Sequence, residues 1–189
     1  MKLLYIDACV RKESRTRRIS DALLAMISEK YPEDVINVEK LILKDEDLHP
    51  LSEDGLDART DLINRQAWDD PMFRYSRQFA DADIIIISAP YWDGSFPSIL
   101  KLYIENIYVQ GIVSGYDENG RPVGMCRAEK LYYVTTSGGP YDGRYSYDYI
   151  DTLATSYFGI RETQLIKADM LDIIGYDAAE IVNKTIAEL

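Results

Sequence analysis

Four consecutive isoleucines, Ile84 to Ile87, constrain this chain more than any other feature. A continuous β-branched run suits a strand covered on both faces, as in the middle of a parallel sheet. The run stops at Pro90, and two large aromatics, Tyr91 and Trp92, follow at once beside small and polar residues. A central strand that delivers aromatic rings and backbone amides to one edge of its sheet is suited to hold a flat heteroaromatic ligand.

Strand and helix patterns alternate along the rest of the chain. Residues 2–6 read as a short apolar strand. Ser14 then caps a helix carrying Ile19, Leu23, Met26, Ile27 and Tyr31 at helical spacing, ended by Pro32. Residues 35–41 read as a second strand and 52–66 as a weakly amphipathic helix. Asp70-Pro71 is a cap followed by proline at the first helical position, with Met72, Tyr75 and Phe79 as the buried stripe. After the isoleucine strand, a helix from near Pro97 places Leu100, Tyr103, Ile104 and Ile107 on one face. Asn119-Gly120 marks a hairpin-like excursion within 110–125. A fourth strand at 130–136, a helix at 148–158 closed by Gly159 and a fifth strand at 163–168 follow. Asp177 and Glu180 are spaced as a capping box for a last helix with Ile181, Val182 and Ile186.

Five strands alternating with helices predict an α/β, doubly wound parallel sheet with right-handed crossovers and helices on both faces. No repeat or linker interrupts residues 1–189, so they read as a single domain. Ligands of such sheets bind beyond the carboxyl ends of the strands, where the winding reverses, and the order 2-1-3-4-5 is expected. Three loops therefore matter: 7–13, 89–96 and 137–147.

The first loop runs into Ser14-Arg15-Thr16, which offers hydroxyls, helix amides and a positive dipole end to one phosphate. Arg11, Lys12, Arg15, Arg17 and Arg18 make it the most basic patch of an acidic chain. Taken alone, this segment reads equally as a solvated helical turn with a serine cap; its place after the first strand favours an anion site. It matches neither the nucleoside-triphosphate loop nor the dinucleotide glycine fingerprint. The second loop exposes Tyr91 and Trp92 at a surface, where such rings meet a ligand or a partner. The third, with Thr136, Ser137, Gly138 and Gly139, adds hydroxyls and glycines that let backbone approach a ligand edge.

Composition removes several function classes. A net charge of −11 argues against nucleic acid or an anionic membrane as the main partner. No apolar run approaches the roughly 20 residues needed to span a bilayer, and the amino terminus reads as a strand, not a signal peptide. Two cysteines, Cys9 and Cys126, and one histidine, His49, leave no zinc cluster and no disulfide framework, which fits a reduced, cytoplasmic setting. His49 lies in a polar run and reads as a solvated loop residue; with no nucleophile elbow present, a Ser-His-Asp hydrolase is disfavoured.

The segment from Ala89 through Pro90-Tyr91-Trp92-Asp93-Gly94 to Glu105 resembles the Ala-Pro-x-aromatic-Asn-Phe loop and following Leu-Lys-x-Tyr-Phe-Asp helix of the flavodoxin-like FMN-dependent NAD(P)H oxidoreductases, the azoreductases and quinone reductases. The segment 116–120 resembles that family's hairpin, Thr136-Ser137-Gly138-Gly139 its flavin loop, and Ser14-Arg15-Thr16 its phosphate segment. The resemblance spans essentially the whole chain. It implies that Tyr91 to Gly94 and Thr136 to Gly139 flank the isoalloxazine of FMN. It also implies a homodimer with Tyr116 reaching toward the partner's flavin. Ala8, or Cys9 with one gap, stands where the family has a serine. Asp93 replaces an asparagine and Gly94 an aromatic, changes expected to widen the site and shift the flavin's potential. Tyr141, Tyr145, Tyr147, Tyr149 and Tyr157 follow in a tyrosine-rich stretch. Of these, Tyr141 and Tyr157 are candidates, with Tyr116, to line a substrate slot.

The expected activity is transfer of two electrons from NADH or NADPH through FMN to a quinone, azo compound or similar planar acceptor, with no catalytic side chain beyond the flavin. Two readings compete: a flavodoxin-type electron carrier docking on a basic redox protein, and a fold relative that binds no flavin.

Overall fold

Successive residues of the isoleucine run feed two different cores. Ile85 and Ile87 pack with Leu4, Ile6, Phe79, Leu100, Tyr103 and Phe158, while Ile86 packs with Leu3, Tyr5, Ile19, Leu23 and Val182. Ile85 and Ile86 are both fully buried, each such side chain contributing about 1.5–3 kcal/mol of apolar transfer. A strand covered on both faces has no wet side to alternate toward, which is why the sequence runs without polar interruption.

The computed structural model describes residues 1–31 and 35–189. In chain order it contains β1 (Lys2–Asp7), α1 (Arg15–Glu29), β2 (Asn37–Ile42), α2 (Glu53–Asn64), α3 (Arg74–Ala80), β3 (Ile84–Ser88), α4 (Ser98–Ile107), β4 (Ser114–Tyr116), β5 (Pro122–Gly124), β6 (Lys130–Thr136), α5 (Tyr147–Thr152), β7 (Glu162–Ala168) and α6 (Ala178–Ala187). The main sheet has the order β2-β1-β3-β6-β7, parallel throughout, with Ile86 between Tyr5 and Tyr132. Skipping the β4–β5 ribbon, this is the 2-1-3-4-5 order expected from the sequence. α1 and α6 cover one face, and α3, α4 and α5 cover the other. The reversal of winding falls between β1 and β3, so the loops after these strands diverge and leave a crevice.

Several local expectations are corrected. β2 begins at Asn37; Val35 sits in a turn and is exposed. α1 ends at Glu29, leaving Tyr31 beyond the helix and exposed, while the expected stop at Pro32 lies outside the described residues. Ser52 caps α2, which ends at Asn64, before Gln66 turns left-handed at φ 55°. Asp70 does cap, accepting from the Met72 amide at 2.9 Å, but the turn at Pro71–Phe73 is 3-10. Phe73, not Met72, faces the core: Phe73 is 0% exposed and Met72 43%. α5 passes at Leu153 into a π-helical turn that ends on Gly159, at φ 78°. At α6, Asp177 accepts from the Ala179 and Glu180 amides, and among the described residues only this half of the capping box forms.

The β4–β5 hairpin joins the body by backbone-to-backbone contact. A Cβ on Gly124 would lie 2.0 Å from the Gly159 nitrogen and 2.2 Å from the Phe158 carbonyl carbon. Because the obstruction is main chain, no side-chain rotation relieves it. Gly124→Ala is therefore expected to cost about 1–3 kcal/mol, read as a lower urea midpoint at unchanged slope. Gly139→Ala, where a Cβ meets nothing within 4 Å, serves as the control and is expected to shift stability by less than about 0.5 kcal/mol.

Candidate functional site

The first wall of the crevice is built around an ion pair whose carboxylate is buried. Asp7, the last residue of β1, is fully buried and accepts the Cys9 amide at 2.7 Å and Arg17 Nε at 2.5 Å. The same guanidinium donates to the carbonyls of Cys9, Arg11 and Lys12 at 2.5, 2.9 and 3.0 Å. The loop between β1 and α1 is thus wrapped around one cation. Burial pulls against the charge of Arg17, but the hydrogen bond and charge of Asp7 outweigh it and hold the pKa above its ordinary value. Arg17 is consumed by the loop and is not a free cation for a ligand phosphate. Arg18 donates to Asn183, and Arg15 pairs with Asp172 at 2.8 Å.

The α1 amino terminus points into the crevice. Ser14 Oγ accepts from the Arg17 amide at 3.2 Å, while the Arg15 and Thr16 amides have no acceptor within the helix. Thr16 Oγ1 lies 2.6 Å from Thr136 Oγ1, tying the first loop to the end of β6.

The second loop presents rings more than amides. The Tyr91 amide donates to the Thr136 carbonyl at 2.9 Å, and Trp92 and Ser95 exchange hydrogen bonds at 2.8 Å. Asp93 and Gly94 between them have φ of 49° and 83°, both positive as a type I′ turn requires. That accounts for Asp-Gly here: the pair makes a tight reversal that carries Trp92 to the rim. The Tyr91 ring is held edge-on by Tyr141, with centroids 5.0 Å apart.

A fourth loop, absent from the sequence reading, closes the other side. The amides of Met170, Leu171 and Asp172 donate to the carbonyls of Gly139, Ser137 and Gly138. A Cβ on Gly138 would meet the Asp172 carboxylate at 2.5 Å, so glycine at 138 allows the two loops to lie together. The signal was available, since the carboxyl-end rule applies to the fifth strand as well as to the others.

These loops enclose a cleft of about 850 Å³. It brings together Cys9, Ser14, Arg15, Thr16, Pro90, Tyr91, Trp92, Thr136, Ser137 and Gly138, with Leu171 and Asp172 added by the fourth loop. Asp93, Gly94 and Gly139 are not in its wall; they shape the turns behind it. Tyr141 braces Tyr91 from outside. Tyr116, 64% exposed on β4, and Tyr157, 6.3 Å from the Tyr108 ring, belong to a tyrosine cluster beside the hairpin. The Tyr108 phenol there is pushed up by burial and by its neighbours Tyr116, Tyr157 and Tyr149. Cys9 meets the cleft, yet its thiol turns inward to within 3.4 Å of Ser88 Oγ, which accepts from Ser20 Oγ at 2.8 Å. Among the described residues no group of His, Cys, Asp and Glu converges as a metal site.

A family model described as a flavodoxin-like fold matches residues 1–189. The chain belongs to this family. An FMN-dependent NADH:quinone oxidoreductase of Clostridium perfringens is 36% identical over 191 residues, covering 98% of this chain and 94% of the relative. One from Coprothermobacter proteolyticus is 34% identical over 195 residues, covering 99% and 95%. An azoreductase from Bacillus anthracis superposes with a TM-score of 0.84 at 22% identity, over 99% of this chain and 95% of that one. An FMN-dependent NADH-azoreductase from the same species, solved with FMN, gives 0.83 at 21% identity, covering 99% and 94%.

Two predictions test this wall of the flavodoxin-like cleft. Arg17→Met leaves the buried Asp7 carboxylate and three carbonyls unpaired, and is expected to lower unfolding free energy by about 3 kcal/mol, measured by urea denaturation. Burial, then the charge of Asp7, pushes the Cys9 thiol up from 9.0 to about 12. The fold prefers the protonated thiol, so its contribution is complete below pH 9 and is lost as pH rises toward 12, where the unfolded chain ionises first. Iodoacetamide at pH 8 is expected to leave Cys9 unmodified in the native protein and to alkylate it in urea.

Proposed function

We propose that this chain is an FMN-dependent NADH:quinone oxidoreductase that passes two electrons from NADH to a quinone, azo compound or similar planar acceptor. The observation that carries the reading is the pairing, within one cleft, of an open helix amino terminus and a rim of two aromatic rings. Full-length relatives of that named activity at about 35% identity support it.

The residues present fit the group. The Arg15 and Thr16 amides and the Thr16 hydroxyl would hold the phosphate, with Arg15 and the exposed Arg11 and Lys12 supplying positive charge. Tyr91 and Trp92 would cover one part of the ring, and Thr136 to Gly138 would meet its polar edge. The bound flavin supplies hydride acceptance and return; the protein supplies position and field. Cys9 stays protonated near neutral pH and Tyr141, raised chiefly by burial, keeps its phenolic proton. Neither acts as a general base there, and the one proton that completes reduction after hydride return comes from solvent.

We further propose a homodimer in which the hairpin faces the second copy, because Tyr116, Val123 and Met125 expose an apolar surface along it. No helix among the described residues is long and apolar enough to cross a membrane, and both cysteines are free, which supports a reduced cytoplasmic setting.

Stopped-flow mixing of NADH with the flavin-loaded protein tests the function: rapid bleaching and recolouring by a benzoquinone are expected. Bleaching only by a reduced protein donor would instead identify an electron carrier. Trp92→Ala is expected to weaken FMN binding about tenfold, followed by quenching of flavin fluorescence.

A further inference from the structure

The second half of the third loop, from Tyr141 to Ser146, puts no residue into the wall of the cleft, yet it is fastened to the second loop at two points. The Tyr141 ring stands at 66° to the Tyr91 ring with centroids 5.0 Å apart, and Ser95 Oγ donates to the Tyr145 carbonyl at 2.5 Å. Between these two ties lies the Asp93-Gly94 turn that carries Trp92 to the rim.

Tyr141 is itself anchored. Its hydroxyl accepts from the Tyr147 amide, the first of α5, at 3.2 Å. That amide needs an acceptor from outside the helix, because Ser146, the residue before it, makes no side-chain cap. The Ser146 hydroxyl is turned instead to the buried Tyr133 phenol, at 2.8 Å. Lys167, paired with Asp169 at 2.6 Å, places Nζ 5.9 Å from the Tyr141 ring centroid, within reach of a cation–π contact. Tyr91 is less constrained. Its amide is held by the Thr136 carbonyl, which fixes the backbone but leaves the partly exposed side chain to turn about χ1 and χ2. Among the described residues, Tyr141 is the one aromatic ring paired with it.

We propose that Tyr141 is a positioning residue for FMN: it acts through Tyr91, by fixing the orientation in which that ring meets the flavin, and makes no contact of its own with the cofactor. This role rests on the FMN reading proposed above. Without the contact from Tyr141, the Tyr91 ring spreads over more orientations. A ligand that needs one of them then binds more weakly, in proportion to the population lost. Aromatic pairing of this geometry favours the held orientation about fivefold.

The experiment is a double-mutant cycle on flavin-free protein. FMN is titrated, by quenching of its fluorescence, into the unaltered chain, Tyr141→Leu, Tyr91→Leu and the double variant. Tyr141→Leu is expected to weaken FMN binding about fivefold alone, and by less than about twofold once Tyr91 is leucine. Equal losses in the two backgrounds, or no loss in either, overturn the inference. Urea denaturation of each variant separates this coupling from a loss of stability. A merely structural tyrosine would lower the urea midpoint without making the FMN effect depend on Tyr91. Should Tyr141→Leu fail to fold, Tyr141→Phe gives the same cycle by removing only the hydroxyl that meets the Tyr147 amide. A loss of about threefold alone, and none beside Tyr91→Leu, is then expected, with additive losses again overturning the inference. An unaltered chain that binds no FMN overturns the proposed function and this role together; one that binds FMN with additive losses overturns the role alone.

Discussion

The ion pair of the buried Asp7 with the partly buried Arg17 is the interaction on which the cleft depends. A carboxylate taken fully out of water is costly unless a cation and further hydrogen bonds meet it. Here the Arg17 guanidinium meets the carboxylate and three loop carbonyls together. The loop after β1 has no regular structure to satisfy those carbonyls, and it must nonetheless hold one path if the α1 amino terminus is to face the crevice. One side chain from the first turn of α1 does this. The helix whose first amides open toward the cleft also supplies the residue that fixes the loop leading to it.

The remaining walls are registered against this one through Thr136. Its hydroxyl meets Thr16 from the first loop and its carbonyl accepts the Tyr91 amide from the second. Three loops separated by up to 120 residues thus share one residue at the end of β6. Thr136 is buried, so solvent competes little for these bonds. The fourth loop is zipped to the third by main-chain bonds at Ser137, Gly138 and Gly139. The aromatic rim and the α1 amino terminus are therefore tied together before any ligand arrives.

The strand order and the two-sided core were legible because they follow from an uninterrupted β-branched run and from the alternation of elements. The three expected loops were legible from the rule that places ligands at carboxyl ends. What sequence reasoning missed was decided by contacts or by conformations that spacing alone does not fix. Met72 and Phe73 are adjacent apolar residues, and only the 3-10 character of the turn decides which faces inward. Asp93-Gly94 looked like a departure from an Asn-aromatic pattern, whereas its positive φ values show a hairpin turn. Arg17 read as one of five cations of a basic patch that favoured an anion site; its role appears only when Asp7 is seen to lie buried beside it. The part played by Leu171 and Asp172 depends on the close approach that Gly138 permits.

Net charge and local charge oppose each other here, and range decides between them. A chain at −11 repels anionic nucleotides at long distance, but charges beyond about 8 Å are largely screened at physiological salt. Within that distance the cleft wall carries Arg11, Lys12, Arg15, Arg18 and the helix amides, against Glu13, Asp21 and an Asp172 already paired with Arg15. The local field therefore sets binding, while the acidic remainder limits adhesion to other polyanions. Pairing Arg17 with the buried Asp7 divides the work between two sets of cations. Its charge is spent on Asp7, so the positive field of the cleft rests on the exposed Arg11, Lys12 and Arg15, whereas the path of the loop rests on Arg17.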